Sequence, residues 1–83
     1  MFVQKSEVIG QEHPRIDVVL STVDEEMNMQ ITLKLWDNQM ELIKLIAPGQ
    51  LISAYAVKTG IFRNIKHVNS TPETQICVTY ILL

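Results

Sequence analysis

The chain has 83 residues, 47% of them apolar, a formal net charge of −2 and a single cysteine, Cys77. Such a length makes one small domain that buries roughly two thirds of its unfolded surface, and the apolar content argues against disorder. One cysteine excludes an internal disulfide and a multi-cysteine zinc site, and the acidic total speaks against a generic nucleic-acid binder.

The charge distribution says more than the total. Residues 1–41 carry eight of the nine acids, with Lys5, Arg15 and Lys34 as the only bases. Residues 42–72 carry Lys44, Lys58, Arg63 and Lys66 and no acid. A local basic surface can therefore coexist with an acidic chain, although four bases in thirty residues also fit an ordinary solvated face. The opening Met-Phe-Val-Gln-Lys has no long apolar core, so no signal peptide is expected. The apolar run from Ile76 to Leu83 is far shorter than the ~20 residues that span a bilayer. A soluble, intracellular protein with no membrane partner is expected.

In chain order, Phe2 to Ile9 reads as a first strand and Gly10 as a bend. Gln11 to Pro14 turns, since Pro14 holds His13 extended. Arg15 to Val23 is a second strand, with Ile16, Val18 and Leu20 alternating against Arg15, Asp17, Val19 and Ser21. Asp24-Glu25-Glu26 is an acidic turn into a third strand, Met27 to Trp36, which pairs antiparallel with the second. In this third strand Ile31, Leu33 and Leu35 share one face, extended by Met27 and Met29. Gln30, Thr32, Lys34 and the lone Trp36 share the other. The Trp is thus out of phase with burial. It is either a platform on an open face or, where the strand end bends, a core residue.

Asp37 or Asn38 caps a short helix, Gln39 to Ile46, with Asn38 and Glu41 loosely matching a capping box; the helix has a broad apolar side and is stopped by Pro48-Gly49. Gln50 to Lys58 is a fourth strand, Thr59-Gly60 a turn, Phe62 to Asn69 a fifth strand and Ser70 to Glu73 a loop. Gln75 to Leu83 is a late β-prone segment that either finishes the sheet or pairs with another chain, giving an oligomer through the C-terminal strand. Three strands, a short helix and two strands predict an all-β fold: a five-stranded OB-fold Greek-key barrel with a short helix between strands three and four, occupying residues 1–83 as one domain. Closing the sheet hides its edges.

The run Ile31-Thr32-Leu33-Lys34-Leu35-Trp36-Asp37-Asn38, followed by a helix, Pro-Gly and a fourth strand leading into Thr59-Gly60-Ile61-Phe62, resembles the single-stranded-DNA-binding OB domains of the replication protein A large-subunit family. It is also similar to the related domain of the meiosis-specific OB proteins. The likeness covers roughly residues 15–70. It implies that Trp36 and Phe62 stack on bases and that Lys58 meets the bound backbone. Arg63 and Lys66 join by proximity, and Lys34 lies between the aromatics. It further implies single-stranded DNA as ligand, a nuclear location and other subunits of a genome-maintenance complex as partners. RNA stays open as an alternative ligand, because stacking platforms are indifferent to the sugar. The hairpin after Phe62 lacks the family's glycines and serines, and the loop at residues 10–14 is much shorter than the family's.

No catalytic constellation is expected, and no cofactor. His13 and His67 have no Cys or carboxylate at ligand spacing. Cys77 reads as a small buried hydrophobe, Tyr55 and Tyr80 as packing residues, and Phe2 as either packing or platform. An assembly module of the same fold, binding protein rather than nucleic acid, is the competing expectation.

Overall fold

The computed structural model describes residues 1–22, 29–63 and 65–81. The expected acidic turn at Asp24-Glu25-Glu26 and the core placement of Met27 lie outside them, as do the side chains of Phe62 and Tyr80. The protein is built from β1 (Phe2–Ile9), β2 (Arg15–Ser21), β3 (Gln30–Trp36), a 3₁₀ helix (Asp37–Leu45), β4 (Gln50–Tyr55), β5 (Lys58–Phe62), β6 (Ile65–Asn69) and β7 (Gln75–Ile81). They form one sheet in the order β5-β6-β3-β2-β1-β4-β7.

Alternation produces the core. Ile16, Val18 and Leu20 of β2 lie opposite Leu35, Leu33 and Ile31 of β3. All but Ile31 are buried, together with Val3 and Ile52. Ile31 packs against this cluster, as do Met40, Leu42, Ile43 and Ile46 of the helical segment and its end. The short helix therefore plugs one end of a curled sheet. The other parity of β3 stays on the outside, as the period of two requires.

The all-β fold with one short helix is as expected, but the sheet has seven strands rather than five. The pairing shows why. Antiparallel β4–β7 and antiparallel β5–β6 lie end to end along the same chain edge: Tyr55 opposes Gln75, and Lys58 opposes Asn69. Between these pairs, residues 70–74 bulge opposite Ala56 and Val57. The expected fourth strand breaks at Ala56, where φ is +57°, and the late segment pairs with its first half inside this chain. Thr59 and Gly60 consequently lie within β5 rather than in a turn. The sheet curls because β4 also meets β1, through Phe2 opposite Leu51 and a reciprocal pair of backbone bonds between Met1 and Ile52 (2.9 and 3.0 Å).

Other expectations change as well. The helix begins earlier, at Asp37, and is 3₁₀ throughout. Its N-terminus has no side-chain cap, and Glu41 pairs with Lys44 instead of closing a capping box. Met29, at 55%, and Tyr55, at 54%, are exposed rather than packed. Cys77 is exposed too, because it lies on an edge strand. Among the described residues, no helix is long and apolar enough to cross a membrane.

Candidate nucleic-acid interface

The outer face of the sheet can be read in rows, because directly opposed residues of neighbouring strands share a face. One row runs Lys58, Asn69, Lys34, Asp17 and Glu7 across β5, β6, β3, β2 and β1. The row on one side of it holds Gly60, His67, Thr32, Val19 and Lys5. The row on the other side holds Trp36, Arg15 and Ile9. The central row is thus basic at β5 and β3, with the neutral Asn69 of β6 between them, and acidic over β2 and β1. A phosphate chain is drawn to the first half and repelled from the second.

Trp36 is half-buried at the upper end of this face. Its indole Nε1 donates to Asn69 Oδ1 at 2.9 Å, and its backbone N–H donates to Ser70 Oγ at 2.8 Å. The Arg15 guanidinium lies over the ring, 5.5 Å from its centre. The His13 ring stands beside it at 5.4 Å, tilted by 53°. The indole is therefore anchored by polar partners on the sheet's outside rather than enclosed by aliphatic neighbours. Such anchoring suits an amphipathic ring, which satisfies its N–H and leaves π surface available.

An ion pair and a histidine–carboxylate hydrogen bond flank it. Arg15 Nε meets Asp17 Oδ1 at 2.8 Å, and His13 Nε2 meets Asp37 Oδ1 at 2.9 Å. The second is exposed on both sides and holds the short β1–β2 loop against the start of the helix. Asp37 adopts φ of +52°. A non-glycine residue there is uncommon, and the turn lets an extended Trp36 pass straight into a helical segment.

A cavity of about 330 Å³ opens beside the indole, lined by Trp36, Asp37, Asn38, Gln39, Ser70, Thr71 and Pro72. The loop that walls it is stiffly bonded. The Thr71 and Thr74 hydroxyls both donate to Ala56 O, at 2.7 and 2.8 Å, and Thr71 N–H donates to Thr74 Oγ1 at 2.7 Å. Thr74 is buried, and Ser70 N–H donates to Lys34 O at 2.8 Å. The bulge thereby ties the kinked β4–β5 strand to the end of β3.

Of the expected site residues, Trp36, Lys34 and Lys58 share the outer face. Phe62 shares it by register and pairs with Ile65 at the hairpin; its side chain lies outside the described residues. Counting residues along β3 and β5 puts Trp36 and Phe62 roughly 20 Å apart. They are too far apart for adjacent bases, so a strand touching both would span several nucleotides. Lys66 opposes Ile61 on the opposite parity but is exposed at the sheet's lower end, where it lines a shallow pocket with Lys5 and Thr32. Arg63 is exposed in the hairpin turn, with φ of +52°.

Arg15, His13 and Asn69 are neighbours of the indole that sequence reasoning missed. The signal for Arg15 was partial: the expected turn at Asp24-Glu25-Glu26 brings the start of β2 to the end of β3, but the register that sets Arg15 opposite Trp36 differs by one residue from a turn centred on Glu25. His13 was set aside for want of a carboxylate nearby, yet the fold brings Asp37 to it across 24 positions. Among the described residues no cluster of His, Cys, Asp or Glu is arranged to hold a metal ion. Comparison of the chain with family models, curated proteins and solved structures finds no match.

Proposed function

We propose that this chain is an OB-type barrel that binds single-stranded nucleic acid, without catalysis, along the outer face of β3, β5 and β6. The OB reading takes β4 with β5 as one kinked fourth strand and β6 with β7 as one interrupted fifth. It is supported by the antiparallel β1–β2–β3 meander, the parallel β3–β6 pairing and the helix between third and fourth strands. The observation that carries the binding reading is Trp36. Its ring stands on the outer face, held by Asn69 and flanked by Arg15, one row from Lys34 and Lys58. Stacking on such a ring contributes ~1–3 kcal/mol per base and does not depend on sequence. The lysines neutralise phosphates and make binding salt-dependent. On this reading the ligand is single-stranded DNA, with RNA as the competing substrate, and the natural setting is a nuclear genome-maintenance complex.

The lone Trp makes the test site-specific. Its emission is titrated with a mixed-sequence single-stranded oligonucleotide at low and moderate salt, and labelled-oligonucleotide anisotropy is measured for the wild type and Trp36→Ala. Quenching that weakens with salt, and a loss of affinity of about tenfold or more in Trp36→Ala, are expected. Absence of binding at low salt, or binding untouched by the substitution, overturns the proposal.

A second reading, assembly rather than nucleic-acid binding, is favoured by β7. This edge strand carries no charge and no proline across Gln75–Ile81, and Val78 and Cys77 are exposed. Soluble proteins usually protect such an edge with charge or proline. Light scattering decides: a dimer that Val78→Lys dissociates supports β7 pairing with a second copy, and a monomer at all concentrations refutes that pairing.

A further inference from the structure

We infer that His67 is a second base-stacking platform on the outer face, and that Lys5 and Lys66 beside it receive the phosphate of the same nucleotide; this deepens the nucleic-acid reading and rests on it. His67 of β6 and Gly60 of β5 are directly opposed on the outer face. Gly60 has no side chain, and the imidazole leans into the space that one would fill. A Cβ there would lie 2.7 Å from His67 Nε2, 3.2 Å from Cε1 and 3.4 Å from Cδ2. A ring that leans across a cross-strand glycine shields bare backbone and is thereby oriented over the neighbouring strand. The His67 side chain is half-buried and has no hydrogen bond or ion pair among the described residues. Nothing in the described fold therefore competes with a ligand for it.

Position and charge give the ring its use. Trp36 and Phe62 are roughly 20 Å apart, and counting along the strands puts His67 between them, roughly 14 Å from Trp36. A single strand laid on Trp36 therefore meets a ring again before it reaches the hairpin, and bases stack on histidine as on other aromatic side chains. On the same row, past Thr32, a hollow of about 580 Å³ is lined by Lys5, Lys66, Gln4, Gln30, Thr32 and Val19, with no carboxylate. A bulge in β1 puts Lys5 there. Plain alternation from Val3, opposite Leu20, would set Lys5 opposite the buried Val18; the register shift between Val3 and Lys5 sets it opposite Val19 on the outside. Neither Lys5 nor Lys66 has an ion-pair partner among the described residues. Glu7 and Asp17 border Lys5 on its other side, and Asp17 is already engaged by Arg15. Two unpaired ammonium groups around a hollow without a carboxylate suit a phosphate.

The test measures affinity for a mixed-sequence single-stranded oligonucleotide by anisotropy in wild type, His67→Ala and His67→Phe, with circular dichroism as the check on folding. His67→Ala is expected to weaken binding about fivefold to tenfold, the low end for one stacked base. His67→Phe keeps a π face without ring nitrogens and is expected to bind within about twofold of wild type. A purely structural role for the ring would lower Tm in His67→Ala and leave the affinity of the folded protein unchanged. In wild type, the His67 ring-proton resonances, told from those of His13 with His13→Ala, are expected to move upfield when the oligonucleotide is added; this readout needs no His67 variant to fold. Lys5→Ala with Lys66→Ala is expected to flatten the dependence of log affinity on log salt by about 0.7 per lysine. Unchanged affinity in His67→Ala, an equal loss in His67→Phe, unmoved ring resonances or an unchanged salt slope overturns the inference, while binding that depends on Trp36 survives all four. Failure of the oligonucleotide to bind at low salt overturns the broader reading as well.

Discussion

The hydroxyl of Thr74 is the sharpest structural probe of the loop that walls the Trp36 cavity. Thr74→Val keeps the shape and removes one oxygen. That oxygen donates to Ala56 O and accepts from Thr71 N–H. Ala56 O keeps a second donor in the Thr71 hydroxyl, so the group left without a partner is the part-buried Thr71 N–H. An unsatisfied buried donor costs about 1–3 kcal/mol; partial exposure puts the expectation at the lower end, about 1–2 kcal/mol. A chain of this size holds roughly 4–12 kcal/mol in total, and each kcal/mol lowers Tm by about 4–8 °C in a small domain. Thermal unfolding followed by far-ultraviolet circular dichroism should show a fall of roughly 5–15 °C. Thr71→Val is the comparator. It keeps its N–H bond to Thr74, and Ala56 O keeps the Thr74 hydroxyl, so its expected loss is under about 1 kcal/mol. A Thr74→Val protein melting within about 2 °C of wild type, or a Thr71→Val protein hurt as badly, refutes the reasoning.

Leu35 has no exposed surface at the centre of the core, so Leu35→Ala should lose about 2–5 kcal/mol in urea titration; a loss below about 1 kcal/mol would mean that the site collapses freely. Lys34→Ala with Lys58→Ala should flatten the dependence of log affinity on log salt by about 0.7 per lysine, and an unchanged slope takes these residues off the phosphate path. A Cβ at Gly60 would lie 2.7 Å from His67 Nε2, against a ring that can swing aside. Gly60→Ala should therefore shift the His67 ring resonances in NMR while changing stability by less than about 1 kcal/mol, since the lost glycine freedom offsets the displacement.

The core was legible because it rests on a period of two: Ile16, Val18, Leu20, Leu33 and Leu35 declare themselves by alternation, and the same parity put Trp36 outside. The kink was not legible. Val57, Lys58 and Thr59 are ordinary strand residues, and Thr59-Gly60 reads locally as a turn. What breaks the strand is Ala56, held at positive φ with its carbonyl taken by Thr71 and Thr74. Both lie more than a dozen residues away, so local propensity carries no trace of them. Cys77 and Tyr55 were misread for a related reason, since alternation reports which side a residue faces but not whether anything covers that side. The helix boundary moved because Asp37 turns through a conformation that sequence preference rarely selects.

The excursion at residues 70–74 fixes how this protein can change. Five residues bridge a gap that two span on the opposing chain, and β7 resumes its ladder immediately afterwards. Adding or removing one residue there would force β7 either to slip along β4 or to present every side chain to the opposite side. Change in the lining of the neighbouring hollow is therefore easiest by exchanging side chains at constant length.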